Sequence, residues 1–425
     1  MCVKKIFLII LNSGLLICQS MVSGEINPYA MTRTSNNSQI DLPFRLLSLK
    51  IDRSFSSFDL KTSTGLEYRY KDADPMLVLR EAYISYYPSW GEIKAGKQIH
   101  SWGAADVINP TDNLNPYDYY YMFKTGTGKK IGSLSVSSTF YSDTYQIELV
   151  LIPNFSPNRI PYAEKDFPLA PDQEPIVNQR KRNEVEYGFR FQTSLFDSDI
   201  SFSFFDGSDK IPSVFSNTFS SDFQESNFDF GYRNTSVYGS DLVSFVGDVT
   251  LRIEGALYHT TNKLKNTEIQ NLRYQLEQEV LYSQFVLQFE HTTQSDLMIS
   301  AQFIGSEVIR DKRSWNAPKS NQPFELPIPD FSPGMGTPFA MFTDRAVLLN
   351  STGVLLDDQL DLSGSVMTNL SEAGLMISAS AGYSPVLNWK IELATTQFKG
   401  NKNPANPFTL MEDFSHLRLG VLYNF

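Results

Sequence analysis

The sequence predicts an all-β protein, a transmembrane antiparallel β-barrel of 16–18 strands. Three observations predict it. Apolar and polar residues alternate along most of the chain, the connections between these segments alternate between short and long, and the chain ends on an aromatic residue in an alternating segment. Beyond the N-terminal segment no apolar run approaches the length of a spanning helix. Alternating strands in a closed barrel are the remaining way for such a chain to cross a bilayer.

The N-terminal segment predicts export. Two lysines precede an apolar stretch from residue 6 to 18, and Val22-Ser23-Gly24 then supplies the small residues that a signal peptidase cleaves after. We therefore expect residues 1–24 to be a signal peptide. Residues 25–425 are expected to form an outer-membrane barrel with long outer loops, so the predicted location is the cell outer membrane.

The two cysteines indicate what the mature chain lacks. Cys2 and Cys18 both lie in the predicted signal peptide, so we expect no disulfide and no thiolate metal site after cleavage. The residues before Cys18 resemble a lipoprotein signal, but Ile17 is bulky where that signal needs a small residue. This favours an ordinary signal peptide.

The charge balance is acidic, with 36 Lys and Arg against 47 Asp and Glu and a formal net charge of −11. Nucleic acid is not an expected partner, because its phosphates require a basic surface. The expected partners are outer-membrane lipid and lipopolysaccharide, the barrel-assembly machinery and small solutes. The sequence does not decide whether the chain also forms a homo-oligomer. No cofactor is expected.

Alternation with period two indicates strands and also assigns their faces. In the segment that begins at Leu387, the residues Trp389, Ile391 and Leu393 share one face. Charged residues on the face opposite the apolar one are predicted to face the lumen, where they either select polar solutes or brace the wall as ion pairs. These residues are Glu184, Glu186, Arg190, Arg252, Glu254, Glu290, Asp361, Lys390, Glu392 and Arg418.

The connections show the asymmetry of outer-membrane barrels, which have short turns at one end and long loops at the other. The short connections are predicted at Pro88 to Gly91, Phe196 to Asp199, Gly247-Asp248, Thr293 to Asp296, Asp357-Asp358 and Ser384-Pro385. The long connections are predicted at residues 101–128, 154–183, 208–233, 261–278, 310–342 and 400–413.

The C-terminal segment is a specific signal. Leu417, Leu419, Val421, Tyr423 and Phe425 are apolar at every second position, and Phe425 is the last residue. This is similar to the terminal strand of outer-membrane barrels, whose last aromatic residue is read during assembly. Tyr423 and Phe425 are therefore the predicted assembly signal.

Residues 79–112 carry the most specific motifs: Gly96-Lys97-Gln98, then Trp102-Gly103, then the run from Asp106 to Asp112 with Asn109-Pro110 at its centre. This stretch resembles a porin-like family of largely uncharacterised Gram-negative outer-membrane proteins. Its members carry Gly-Lys/Arg-Gln, Trp-Gly and Asp-x-x-Asn-Pro-x-Asp. The resemblance implies an outer-membrane barrel and implies no substrate.

The segment 101–128 has two interpretations. It is either a loop folded into the lumen that narrows the pore, or an outer loop whose tyrosines join an aromatic girdle at the membrane interface. Lys97 falls on an apolar face, so either a bulge at Gly96 turns it inward or it extends its amine to the rim. The candidate constriction residues are Lys97, Gln98, His100, Trp102, Asp106, Asn109 and Asp112. The tyrosines are Tyr117, Tyr119, Tyr120 and Tyr121.

Nothing in the sequence points to an enzyme. The four histidines do not pair at the spacings of a zinc site, and no nucleophile motif is present. The expected function is an outer-membrane channel for passive or facilitated diffusion of small polar solutes. The alternative is a plugged surface barrel that acts as a structural or adhesin-like protein through its outer loops.

Overall fold

The computed structural model describes residues 20–71, 73–167, 169, 173–179, 185–220, 226–262, 273–316, 326–338 and 343–425. The strands are β1 (Ser20–Ile26), β2 (Tyr29–Arg33), β3 (Gln39–Ile40), β4 (Phe44–Ser54), β5 (Phe58–Tyr68), β6 (Met76–Tyr86), β7 (Gly91–Gln98), β8 (Ser133–Tyr141), β9 (Tyr145–Ile152), β10 (Val177–Gln179), β11 (Glu186–Leu195), β12 (Ser198–Ser208), β13 (Ser213–Phe219), β14 (Ser226–Gly231), β15 (Asn234–Val246), β16 (Val249–Asn262), β17 (Arg273–Thr292), β18 (Met298–Asn316), β19 (Arg345–Leu355), β20 (Leu360–Asn369), β21 (Gly374–Val386), β22 (Trp389–Lys399) and β23 (His416–Asn424). One short α-helix, α1 (Pro407–Met411), and 3-10 turns at Tyr119–Tyr121, Gly126–Lys129 and Glu412–Phe414 lie in the loops.

Eighteen strands form a closed antiparallel barrel, which confirms the predicted fold class. The barrel closes where β23 pairs with β22 on one side and with β1 and β2 on the other. At the closure Gly24 and Phe425 exchange two backbone hydrogen bonds of 2.9 and 3.0 Å. β1 and β2 act as one interrupted wall strand, whereas β3, β10, β13 and β14 are short strands within or beside the loops.

The two faces of the wall differ in chemistry. Leu349, Leu393 and Leu419 leave half or more of their surface exposed and point away from the barrel axis, as do most apolar residues of the wall strands. The alternate positions carry charged, hydroxyl and amide side chains that contact the loops inside the barrel. This is the arrangement expected for strands with lipid outside and water inside.

The ends of the barrel differ as predicted, with short turns at one end and mostly long connections at the other. Two long connections are shorter than predicted, because β17 already begins at Arg273 and β18 continues to Asn316. The turn predicted at Ser384-Pro385 is wrong: β21 continues to Val386, and the chain turns at Leu387-Asn388 instead. The pairing of β21 with β22 shifts register between Tyr383 and Val386, so the proline occupies an irregular position in the ladder. Proline lacks an amide donor, and such irregular positions tolerate it.

The described chain begins inside the first wall strand. β1 starts at Ser20, and residues 1–19 lie outside the described residues. Cleavage after Gly24 would remove the residue that pairs with Phe425, and the boundary at residue 24 stays a prediction. Among the described residues no helix is long and apolar enough to span a membrane.

The apolar core lies inside the barrel, between the inner wall and the loops. Leu114 from a loop and Tyr258 from β16 are both fully buried, and the Tyr258 ring stacks on that of Tyr282 from β17 with the centroids 4.5 Å apart. A second cluster joins Ile108 of the same loop to Phe408 of α1. At the end of the barrel with the long loops, called the loop end below, the loops therefore pack against the inner wall. The opposite end is called the turn end.

Candidate functional site

The loop between β7 and β8, residues 99–132, lies inside the barrel and is called the inner loop below. The Trp102 indole donates a hydrogen bond of 2.9 Å to Glu148 on β9, and the Asp106 amide donates one of 3.1 Å to Gln288 on β17. Glu148 and Gln288 lie on wall strands that are separated by four others, and both face inward. The structure therefore matches the folded-in interpretation of this segment.

A single carboxylate, that of Glu254 on β16, holds the tip of the inner loop. One oxygen accepts from the amides of Ala104 and Ala105 at 2.9 and 3.0 Å, and the other accepts from the amide and hydroxyl of Thr111 at 2.9 and 2.8 Å. The side chain is 1% exposed. These four bonds satisfy a buried charge, which would otherwise be costly. We call this arrangement the Glu254 latch.

Glycines allow the close approach between the loop and the wall. Gly103 has φ +92°, and a Cβ there would lie 2.5 Å from a Glu254 oxygen. On the wall, a Cβ at Gly188 would lie 2.7 Å from the Trp102 ring, and one at Gly239 would lie 2.7 Å from the Thr111 methyl. The Trp-Gly motif is thus explained: the tryptophan fills the space over one wall glycine while Gly103 passes against the carboxylate.

The Asn-Pro-Thr-Asp run forms the second half of the latch. Thr111 binds Glu254, and Asp112 accepts the Trp102 amide at 3.2 Å and forms a buried ion pair with Lys130. Asn115 then accepts the His100 amide at 2.6 Å and donates to the carbonyl of Gln98 at 2.9 Å. These bonds tie the two ends of the inner loop together.

The candidate constriction residues fall into two groups. His100, Trp102, Asp112 and Gln98 are buried against the wall or within the loop, where they fix the loop. Asp106 leaves 44% of its side chain exposed and lies 3.8 Å from Arg252. Asn109, which is half-buried, donates to the carbonyl of Ala105. That these residues line a constriction stays a proposal, and Asp106 is the one that most exposes its charge.

Lys97 remains in register with Leu134 of β8, and no bulge interrupts either ladder at Gly96. Its amine donates to the carbonyl of Leu79 at 2.7 Å, close to the loop end. The rim interpretation of this lysine fits that contact. The constriction role predicted for Lys97 has no contact that supports it.

The tyrosines of the inner loop do not form a lipid-facing girdle. Tyr117, Tyr119 and Tyr121 are buried inside the barrel, and Tyr117 and Tyr119 pack with Met122 and Phe167. The girdle interpretation of these residues is therefore wrong. Sequence does not separate the two cases, because a run of tyrosines can be buried inside a barrel or lie at the membrane interface.

Buried ionisable groups in the inner loop depart from their usual pKa. Burial raises the pKa of Asp118 to about 6, although Arg159 lies 3.2 Å from its carboxylate and lowers the pKa. Burial lowers the pKa of Lys129 to about 8, and its amine donates to the carbonyl of Val107 at 2.6 Å. Both groups help to hold the loop and neither faces open lumen.

Three cations meet beside the inner loop. Arg45 and Arg80 donate to the carbonyls of Gly128 and Thr127 at 2.7 and 2.8 Å, and the Arg45 guanidinium lies 3.9 Å from the centroid of the Tyr121 ring. The Lys124 amine lies 5.4 Å from the same ring. Within the described residues, none of these cations has a carboxylate partner within ion-pair distance.

The predicted lumen-facing charges that the structure describes alternate with exposed apolar residues of the same strands, and Glu184 lies outside the described residues. Those at the loop end are covered: Glu186 pairs with Lys210 at 2.6 Å. Those nearer the turn end are open: Asp361 pairs with Lys390 and Glu392 with Arg418, each with a quarter or more of the side chain exposed. Arg190 pairs with Asp241 at 3.2 Å, and Arg252 lies 3.7 Å from Glu290.

Sequence reasoning missed the wall partners of the inner loop. Glu148 and Gln288 alternate with apolar neighbours and were available from strand phase, as was Glu81 on β6. Thr111 and Gly103 stand inside the quoted motifs but were not assigned a role. Only the folded chain shows that these residues meet across separations of more than a hundred positions.

The fold is similar to solved outer-membrane porins. OccK2 (OpdF) of Pseudomonas aeruginosa, solved in complex with glucuronate, matches with a TM-score of 0.56 and 10% identity over 96% of this chain and 98% of that one. OccAB2 of Acinetobacter baumannii matches with a TM-score of 0.54 and 9% identity over 96% of this chain and 98% of that one. OccK3 (OpdO) of P. aeruginosa matches with a TM-score of 0.53 and 12% identity over 96% of this chain and 95% of that one. At these identities the similarity shows the fold.

No family model matches the sequence, and no curated protein matches it significantly.

Proposed function

We propose that the chain is an outer-membrane channel for passive or facilitated diffusion of small polar solutes. The observation that carries the proposal is the inner loop, which the Glu254 latch fixes to the wall inside a closed 18-stranded barrel. A barrel of this size encloses a lumen, and a fixed loop inside it narrows the passage to a defined cross-section. The similarity to solved porins supports the same function.

The chemistry of the two wall faces supports this proposal. The outer face is apolar along the strands, as lipid requires, and the inner face below the inner loop carries hydroxyls and amides such as Ser300, Asn350 and Ser365. Paired charges at Asp361–Lys390 and Glu392–Arg418 add polarity without an excess of one sign. Solutes selected by such a wall are small and polar.

The location follows from the same faces. An outward apolar surface on a closed barrel is stable in a bilayer, and outer membranes of Gram-negative cells are where such barrels occur. Export by the predicted signal peptide and assembly through Tyr423 and Phe425 belong to this proposal. Phe425 stacks on Tyr423 at the end of β23, the strand that closes the barrel by pairing with Glu25, Ile26 and β2.

Single-channel recording tests the proposed function. The refolded protein is inserted into planar bilayers, and its folded state is checked by heat-dependent migration on a denaturing gel. A channel gives stable conductance steps of uniform size in potassium chloride. Folded protein that inserts and stays silent would contradict the proposal.

The alternative function, a plugged surface barrel, has one observation in its favour. At the loop end the described parts of three loops pack together. The amides of Lys210 and Ile211 donate to the carbonyl of Gly334 at 2.8 and 3.2 Å, and the amide of Asn158 donates to the carbonyl of Lys210 at 2.9 Å. Arg233 joins the same contact by an ion pair of 2.6 Å with Asp209. Silence in the bilayer together with binding of the intact barrel to a surface ligand would select this alternative.

A further inference from the structure

A cavity of about 200 Å³ lies between the inner wall and the start of the inner loop. It is lined by Glu81 and Tyr83 from β6, Ser137 from β8, Glu148 from β9, and His100 and Ser101 from the loop. The wall residues among these project from the inward faces of their strands. One water molecule occupies about 30 Å³ in the liquid, so the space suits a small organic group and not a lone water.

Two carboxylates give the cavity its charge. Glu81 accepts the Ile99 amide at 3.1 Å through one oxygen, and no bond to its other oxygen is found among the described residues. Glu148 uses one oxygen for the Trp102 indole, and its other oxygen has only the His100 ring at 3.8 Å. Each carboxylate therefore keeps one oxygen for a further donor.

The cations around the cavity are engaged elsewhere. Lys94, which also lines it, pairs with Glu92 at 2.9 Å. Arg80, next to Glu81 in the chain, donates to the carbonyl of Thr127, and Arg190 near Glu148 pairs with Asp241 at 3.2 Å. Within the described part of the chain, neither Glu81 nor Glu148 has a lysine or arginine partner within 4 Å. The cavity therefore carries a net negative charge.

The geometry selects between kinds of cation. Within the described residues no group of three or more His, Cys, Asp or Glu side chains is arranged to hold a metal ion. Two carboxylate oxygens with hydroxyls from Tyr83 and Ser101 instead offer several separate acceptors. This arrangement suits a cation with several N–H donors, since charge-assisted hydrogen bonds are directional and strong.

We propose that this cavity is a binding subsite for the ammonium or guanidinium end of a small organic cation. The proposal rests on the proposed channel function, because a solute reaches the cavity from the lumen. It adds a substrate class to that function: amines or amino compounds that pause beside the inner loop before they pass it.

Titration calorimetry on the folded protein in detergent tests the subsite. The probe is 1,4-diaminobutane, and its fully N-methylated analogue has the same charge but no N–H donor. Glu81→Gln removes one charge and keeps an oxygen for the Ile99 amide, while Glu392→Gln removes a lumen carboxylate outside the cavity. We expect Glu81→Gln to weaken diamine binding at least tenfold, with Glu392→Gln changing it less than twofold and the methylated analogue binding at least tenfold more weakly.

Three results would overturn the subsite. Wild type could bind the two probes equally well, Glu81→Gln could bind the diamine as tightly as wild type does, or wild type could fail to bind the diamine. If Glu81→Gln does not fold, Ser137→Leu fills the cavity without changing a charge and must abolish diamine binding. Bilayer recordings separate this proposal from the channel itself. Conductance without diamine binding removes only the subsite, and diamine binding to a silent barrel removes only the channel.

Discussion

Two inward-facing carboxylates, Glu254 on β16 and Glu392 on β22, show how position along the barrel decides the role of a charge. Both alternate with apolar residues and both were predicted to face the lumen. Glu254 is buried under the inner loop and accepts four hydrogen bonds from it. Glu392 keeps 27% of its side chain exposed and pairs with Arg418 on the next strand.

The difference shows that an inward-facing side chain has one of two environments in a barrel that contains a loop: it is either covered by the loop or exposed to water. At the loop end an inward charge is buried under the loops and must be satisfied, because buried unpaired charge is costly. Nearer the turn end the same kind of residue meets water, and its pair is worth little to stability. The first set fixes the inner loop, and the second set stays open to solvent.

The largest expected effect comes from Glu254→Gln. The amide group places N–H donors against the amide of Thr111 or those of Ala104 and Ala105, so at least one loop donor loses its acceptor. We expect the loop tip to lose about 3 to 5 kcal/mol of docking free energy, from charge-assisted bonds and an orphaned donor. Hydrogen exchange at residues 104–111 measures this as a loss of protection by roughly two to four orders of magnitude.

The control for this variant is Glu392→Gln, which removes an equivalent charge from the uncovered wall. Protection of the inner loop should stay as in wild type. If the channel proposal is correct, Glu254→Gln should also raise the mean conductance or add current noise, because the loop tip moves. Equal protection in wild type and Glu254→Gln would show that the Glu254 latch does not hold the loop.

The second expected effect is a pH dependence of the docking of the inner loop. Burial raises the pKa of Asp118 from 3.8 to about 6, so the folded loop binds a proton more tightly than the undocked chain. Docking is therefore strongest at low pH and weakens as pH rises from about 4 through 6. The shift corresponds to roughly 3 kcal/mol at most.

Hydrogen exchange of the inner loop at several pH values, corrected for intrinsic rates, measures this slope. Asp118→Asn keeps the side-chain acceptor that caps Tyr120 and has no proton to lose, so the part of the slope that Asp118 contributes should disappear in this variant. A slope that persists unchanged in Asp118→Asn would assign the titration to another group. An opposite slope in wild type would contradict the predicted direction.

Sequence alone predicted which side chains face inward but not which of them the loop covers. The backbone forces a period of two on every strand, so Arg252, Glu254 and Lys390 are placed by local pattern. Cover depends on contacts such as Thr111 to Glu254, which join positions 143 residues apart. No local pattern specifies such a pairing.

The same limit explains two errors of local interpretation. Ser384-Pro385 was assigned to a turn because proline usually marks one, whereas the ladder accommodates it in an irregular pairing two residues before the turn. Tyr117 and Tyr119 were open to a girdle role, and long-range packing against Phe167 buries them instead. Gly103 was the one local indication of this packing. A glycine after a tryptophan in a loop motif indicates that the backbone passes close to another part of the protein.

A third, smaller effect tests that close approach directly. Gly103→Ala adds a Cβ 2.5 Å from the Glu254 carboxylate at φ +92°, so the loop must shift. We expect a loss of about 2 kcal/mol of loop docking, from backbone strain and a displaced hydrogen bond. Gly126→Ala is the matched control, because its φ of +56° is also positive but no atom lies within 4 Å of the new Cβ. Similar losses in both variants would mean that strain alone, without the clash, explains Gly103.

The smallest effect on stability is expected at the uncovered ion pair of Asp361 and Lys390. Both side chains are well exposed, so Lys390→Gln should change the free energy of unfolding by less than about 1 kcal/mol. Its effect on permeation should be larger in proportion, because losing this ammonium leaves a carboxylate facing the lumen and favours cations. Reversal potentials in a potassium chloride gradient measure that change, and Asp361→Asn should shift them in the opposite direction. If neither variant moves the reversal potential while conductance persists, ions do not pass this part of the wall. The uncovered charges would then not border the conducting path, and the distinction between a covered and an uncovered lumen would not explain transport.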